Sequence, residues 1–189
     1  MKRAAGSPLL RYGSVAFLVL LDQWSKTRVF AWLGATPEGR SLSRPLAGEW
    51  LSFCSSCNGG AAFGQFSQFP YVLVIGRALA VVFLAWLLWR AASRPRLALF
   101  AMTLVLAGAL GNLVDNLWSG CAVPGHPFLG VRDFVDVYFR PLIRVERHFP
   151  AFNVADSCIT VGACAWILAS FLHRPAPPSA SEATPPASG

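Results

Sequence analysis

Four stretches of about twenty residues each, nearly free of charge, constrain this chain more than any other feature: roughly 12–33, 69–89, 97–118 and 151–172. A helix needs about 20 mostly apolar residues to cross ~30 Å of hydrocarbon. The composition agrees: 54% of residues are hydrophobic and 13% charged, against about 25% charged in a typical soluble domain. The second stretch is the cleanest, with Arg77 as its only charge; the first is the least clean, because it holds Asp22, Lys26 and Arg28. The expected fold is an all-α membrane protein, a four-transmembrane-helix bundle in a single domain over residues 1–174. Residues 175–189 are rich in Pro, Ala and Ser, the composition of a disordered tail.

The net charge of +7 raises nucleic acid as a partner, but the placement of the charge speaks against it. Lys2, Arg3 and Arg11 precede the first apolar stretch, and Arg90, Arg94 and Arg96 share one short loop. These groups flank hydrophobic spans as positive-inside anchors do, and no basic stripe is interleaved with aromatics. The short loop around 90–96 is therefore expected in the cytoplasm, with both termini. The long loops, about 34–68 and 119–150, are then outside. Arg132, Arg140, Arg144 and Arg147 lie in the second of these, but long loops obey the charge rule poorly. The N-terminus imitates a signal peptide, with an apolar run from Val15 to Leu21. No small-residue cleavage site follows, so the segment is expected to be a retained helix.

On this topology every polar cluster within the spans converges on the outer leaflet. Asp22 and Lys26 share a face at i and i+4. Asn112, Asp115 and Asn116 lie at the outer end of the third span, with Gly108 and Gly111 beside them to permit close helix approach. Asn153 and Asp156 lie in the first turns of the fourth. Burying one aspartate at bilayer depth costs roughly 2.5–3.5 kcal/mol or more, and such residues usually line a functional cavity. Interhelical glue would explain one of them, not the set.

Their chemistry is narrowed by what is missing. Ser25 and Lys26 are adjacent and so point about 100° apart, not toward each other. His126, His148 and His173 are scattered, without the spacing of a metal site. The carboxylates remain: Asp133 and Asp136 in the second outer loop, and Asp156 a short way on. Two carboxylates about 4 Å apart repel by roughly 4 kcal/mol at an effective dielectric of 20, which is about three pKa units. Such a pair shares one proton, so one member activates water while the other acts as acid. No metal and no cofactor is required.

Five segments taken together resemble lipoprotein signal peptidase (signal peptidase II). They are Leu21-Asp22-Gln23-Trp24-Ser25-Lys26, Asn58-Gly59-Gly60-Ala61-Ala62-Phe63-Gly64, Gly108 to Asp115, Val131-Arg132-Asp133-Phe134-Val135-Asp136, and Phe149 to Ser157. The resemblance implies that Asp133 and Asp156 are a catalytic dyad, framed by Asp22, Lys26, Asn58, Gly60, Asn112, Asp115, Asn153 and Ala155. It implies cleavage of diacylglyceryl-modified prolipoproteins just before the lipidated cysteine, inhibition by globomycin, and a small periplasmic β-cradle in the first outer loop. The partners are then prolipoprotein and membrane lipid, for a monomeric enzyme of the bacterial inner membrane.

Two features depart from the family. Asn116 stands where the family's pattern has arginine, and the segment from Asp115 to Asp133 is lengthened by an insertion around Cys121-Ala-Val-Pro-Gly-His-Pro. Without that arginine, Lys26 or Arg132 is expected to pair with Asp115. Rival readings are a periplasm-facing thiol oxidoreductase built on Cys54-Ser55-Ser56-Cys57 and a small transporter. The first leaves the aspartates unexplained, and Cys54 and Cys57 are expected to form a plain disulfide or to stay free. The second lacks a polar path, since the inner half holds little polarity except Arg77. Cys158 and Cys164 read as packing residues.

Overall fold

The computed structural model of the chain describes residues 7–34, 42–60, 65–91 and 94–172. The expected disordered tail over 175–189 lies outside the described residues, as do Ala61 to Gly64 of the second motif. Four long helices and a three-stranded sheet make up the fold.

Helix α1 runs Pro8–Leu33, starting earlier than the hydrophobic pattern indicates. Ser7 caps it, its hydroxyl accepting from the Leu10 N–H, and Pro8 fits the first turn because it has no N–H to leave unpaired. Gly34 closes it in the left-handed conformation, φ 68°. Helix α2 spans Pro70–Arg90 and α3 Arg96–Val114, the latter continuing as a π-turn over Asp115–Ser119. A short α4, Arg140–Ile143, precedes α5, Val154–Leu172. Three of these are long and apolar enough to cross a membrane: α2, α3 with its π-turn, and α5, with mean hydropathy 2.3, 2.1 and 1.6. Helix α1, 26 residues long, is not among them, because Arg11, Asp22, Lys26 and Arg28 dilute its apolar character.

The helices pack through their small residues. A Cβ added to Gly108 would lie 2.3 Å from the Ala155 carbonyl oxygen, and one on Gly162 would lie 2.9 Å from that of Ala101. The backbones of α3 and α5 therefore touch, which only glycine permits. Val15, Leu88, Leu99, Met102 and Leu106 form the core among α1, α2 and α3. Arg11 is buried there, donating to the Leu88 carbonyl at the last turn of α2.

The sheet is antiparallel in the order β1 (Ser43–Ala47), β2 (Leu51–Asn58), β3 (Val131–Val137). An irregularity between Phe53 and Ser56 leaves Ser56 opposite Asp133. Asn58 is then the diagonal neighbour of Asp133, within side-chain reach. The chain before α5 also joins the sheet, which is why α5 begins at Val154 and not at 151. The N–H groups of Phe134 and Val135 both donate to the Phe152 carbonyl, and Phe152 N–H returns a bond to Val135. That short pairing sets Asn153 beside Asp133.

Candidate active site

Most of the buried polar residues meet at one end of the bundle, where β3 crosses the ends of α3 and α5. They form two connected parts. One is an ionic knot. Lys26, 0% exposed, donates to Asp22 Oδ2 (2.7 Å) and Asn112 Oδ1 (3.1 Å), and lies 3.2 Å from Asp115 Oδ2. An ammonium has three N–H donors, and all three have acceptors here. Asp115 also receives Arg132, through Nη2 at 2.8 Å, Nε at 3.3 Å and the backbone N–H at 2.9 Å. Two acids and two bases thus balance in a dry site. Ala155 closes the knot, its N–H donating to Asp22 Oδ1 at 2.9 Å. A Cβ on Gly111 would lie 2.8 Å from Asp22 Oδ2. Asp115 is thus paired by both residues that the sequence offers in place of an arginine at 116.

The second part is the pair Asp133 and Asp156, held by amides instead of cations. Asp133, 2% exposed on β3, accepts from Asn153 Nδ2 at 2.7 Å and from Asn58 Nδ2 at 3.1 Å. Asp156 accepts from Asn112 Nδ2 at 2.8 Å and from the Asn153 backbone N–H at 3.2 Å. Each amide is oriented by a partner that accepts no reversal. Lys26 fixes Asn112 Oδ1 and so turns its NH₂ to Asp156. Asn153 is the N-cap of α5, its Oδ1 taking the Asp156 N–H at 2.9 Å, which leaves its NH₂ for Asp133. The Gly60 N–H donates to Asn58 Oδ1 at 2.9 Å, to the same effect. Asn153 and Asp156 together form a reciprocal capping box, so one local motif starts the helix and presents the carboxylate.

Burial, and next the charge on Asp156, push the Asp133 carboxyl up to about 7, while the Asn58 and Asn153 hydrogen bonds and Lys26 pull it back. A carboxyl raised to about 7 can exchange a proton near neutrality, which suits acid–base chemistry. Asp136 is directed elsewhere. Its carboxylate meets His148 Nδ1 at 2.9 Å at the surface.

All ten residues singled out in the sequence as dyad or support therefore belong to this one network. Besides Arg132, three more residues add to it. Gln23 donates to the Gly111 carbonyl and accepts from Ser119 Oγ (2.6 Å) and Arg132 Nη2 (2.9 Å). Ser119 also donates to Asp115 Oδ1 at 3.1 Å. A glutamine in an apolar span is a visible signal; nothing marks Ser119, which the π-turn brings round. Arg77 is the third, and its assignment to the inner half of the span needs correction. Its guanidinium hydrogen-bonds Asn116 Oδ1 and feels the charges of Asp156, Asp133 and Asp115. Helical side chains slope toward the N-terminus, and the long arginine stem carries its head to the sheet end of α2.

The cysteines also pair differently from expectation. Cys57 is bonded to Cys121, while Cys54 is buried and free. Burial, then Asp136 and Asp133, push the Cys54 thiol up to about 11. An oxidoreductase needs the opposite shift. Cys158 is buried, as a packing residue would be, but Cys164 is exposed.

Comparison with known proteins agrees with this geometry. The family model described as Signal peptidase (SPase) II matches residues 14–172. A lipoprotein signal peptidase of Cupriavidus necator is 36% identical, over 86% of this chain and 83% of its own. One of Acinetobacter baumannii is 30% identical, over 93% and 90%. A solved structure described as a bacterial membrane enzyme superposes with a TM-score of 0.69 at 26% identity, over 91% of this chain and 93% of its own. The chain belongs to the signal peptidase II family.

Proposed function

We propose that this chain is an aspartyl endopeptidase that removes signal peptides from diacylglyceryl-modified prolipoproteins, cutting before the lipidated cysteine. The substrate reading rests on the relatives, which are named as lipoprotein signal peptidases. The aspartyl reading rests on one observation: two carboxylates held by oriented amide donors, with no cation among the described residues bonded to either. The ionised member of the pair takes a proton from water, which attacks the scissile carbonyl. The protonated member gives its proton to the carbonyl oxygen. Collapse of the tetrahedral intermediate returns a proton to the leaving amine. Asn58, Asn112 and Asn153 orient the carboxylates, and Asp22, Lys26, Asp115 and Ala155 hold those amides in place, with no metal and no cofactor in the scheme.

In this proposal α1 is the fourth transmembrane helix. Its charges at Asp22 and Lys26 are neutralised inside the protein, while Phe17, Leu20 and Trp24 point outward. Both termini are then cytoplasmic, the dyad lies at the outer leaflet, the sheet is periplasmic, and residues 1–174 act as one monomeric domain in contact with lipid. The test is incubation of the purified enzyme with a lipidated prolipoprotein, with and without globomycin. Release of the signal peptide that globomycin blocks is the expected result; no release from a folded preparation overturns the reading.

A further inference from the structure

The disulfide and the insertion that carries it are used by no step of the mechanism, yet they touch it. Cys57 is the residue before Asn58, and Cys121 lies in the loop after α3, 64 residues away in sequence. That loop is fastened on every side. Cys121 pairs with Gly130 as an antiparallel bridge. Asn116 exchanges bonds with Leu129, its side chain donating at 2.7 Å and its carbonyl accepting at 3.2 Å. A Cβ on Gly130 would lie 2.9 Å from Cys57 Sγ and 2.6 Å from Val123 Cγ2, and one on Gly59 3.1 Å from Val123 Cγ1. The loop thus packs directly under the end of β2.

The end of β2 needs such a restraint. Asn58 is the last residue of the strand and is followed by Gly59 and Gly60. Strand ends fray, and two glycines in succession give the chain the most freedom to do so. Still, Asn58 must hold one carboxylate oxygen of Asp133 at hydrogen-bond distance.

We propose that the Cys57–Cys121 disulfide is a positioning element of the active site, tying the 120–130 loop to β2 so that Asn58 stays against Asp133. The role is mechanical, not redox catalysis, and it rests on the proposed function of Asp133. It also gives the inserted loop a purpose, since the insertion supplies the second cysteine.

The experiment uses the full-length enzyme with lipidated prolipoprotein. Dithiothreitol supplies two electrons and two protons, converting the disulfide to two thiols and itself to a cyclic disulfide; thiol titration then rises from three to five. Assays are run below the melting temperature of each form. Reduction should lower kcat about tenfold, the factor that one hydrogen bond to a charged group supplies, with KM within about twofold. Reoxidation should restore it. The upper limb of the pH profile should move to higher pH, because Asp133, facing Asp156, Lys26 and Arg77, loses a bond that favours its ionised form. Cys57→Ser with Cys121→Ser should behave as the reduced enzyme and ignore dithiothreitol. In Asn58→Ala, reduction should cost nothing further. Unchanged kcat and pH profile with five titrated thiols overturns the proposal, as does an undiminished effect of reduction in Asn58→Ala. Asp133→Asn is assayed alongside: if it cleaves, the aspartyl reading fails, whatever the thiols do.

Discussion

The two aspartate pairs of this enzyme occupy one buried network and differ in what holds them. Asp22 and Asp115 are bonded to Lys26 and Arg132, cation to anion, in a site nearly closed to solvent. Asp133 and Asp156 are bonded to side-chain amides and one backbone N–H. An ion pair fixes a carboxylate against a cation, so such an aspartate ties one element to another and gives structure. An amide donates without carrying charge, so it fixes position and favours the ionised form less strongly than a cation does. The sequence shows aspartates, asparagines and a lysine within apolar spans; the identity of each donor divides the aspartates into those bonded to cations and those of the proposed catalytic pair. Asn112 joins the two parts, with Lys26 on its oxygen and Asp156 on its nitrogen.

The comparison is broken most severely at the proposed catalytic pair. Asp133→Asn and Asp156→Asn should each lose on the order of 10⁴ in turnover, the upper range for acid–base catalysis, while still binding substrate. Cleavage by each purified variant, with binding of globomycin as the check on the site, measures this. Substantial activity in both would end the aspartyl mechanism.

The knot should fail in stability before it fails in chemistry. Lys26→Ala and Arg132→Ala each leave buried carboxylate uncompensated, which costs roughly 3–5 kcal/mol. Thermal unfolding in detergent should show the loss, with the activity of Arg132→Ala falling in proportion to the folded fraction and that of Lys26→Ala falling further, because Asn112 loses the partner that orients it toward Asp156. A dead variant of undiminished stability would move the knot into catalysis and erase the distinction.

A smaller effect separates the pairs by pH. Asp133 ionises in the unfolded chain near 3.8 and in the folded one at about 7. The folded state therefore binds its proton more tightly. Stability associated with that proton is complete below 3.8 and is lost as pH rises through 7. Asp133→Asn removes this dependence, so it should gain on the wild type with rising pH, by about 1 kcal/mol or more at pH 8. Melting curves at pH 5 and pH 8 test it. A difference between the two proteins that stays constant with pH would mean that Asp133 titrates normally.

The smallest effect is expected at Asp136. It is three residues from Asp133 on an extended strand and is bonded to His148 at the surface. Asp136→Asn should keep cleavage within about twofold and stability within about 0.5 kcal/mol. A dead Asp136→Asn beside an active Asp133→Asn would transfer the catalytic role.

Much of this was legible without coordinates. Burying a charge in an apolar span is so costly that each aspartate, asparagine and lysine there already marks a site. Gly108 announced the close approach of α3 and α5, because only a missing Cβ allows backbones to touch, while Gly111 makes room for the Asp22 carboxylate. Distances along the chain hid the rest. The partner of Cys57 is 64 residues away, and a short Cys-x-x-Cys spacing drew attention to the wrong sulfur. Arg77 was misplaced by a miscount: it is only seven residues from the start of the 21-residue α2, so its Cα already lies in the half of the span nearer the site, and its side chain carries the charge further that way.

The sequence by itself determined the apolar spans and most of the polar set, since hydropathy and the cost of buried charge are local properties of residues and windows. Tertiary structure decided who bonds to whom. Whether an aspartate meets an ammonium or an amide depends on registers and rotamers set by packing between elements distant in sequence. That choice, made at about 3 Å, separates the carboxylates paired with cations from the proposed catalytic pair.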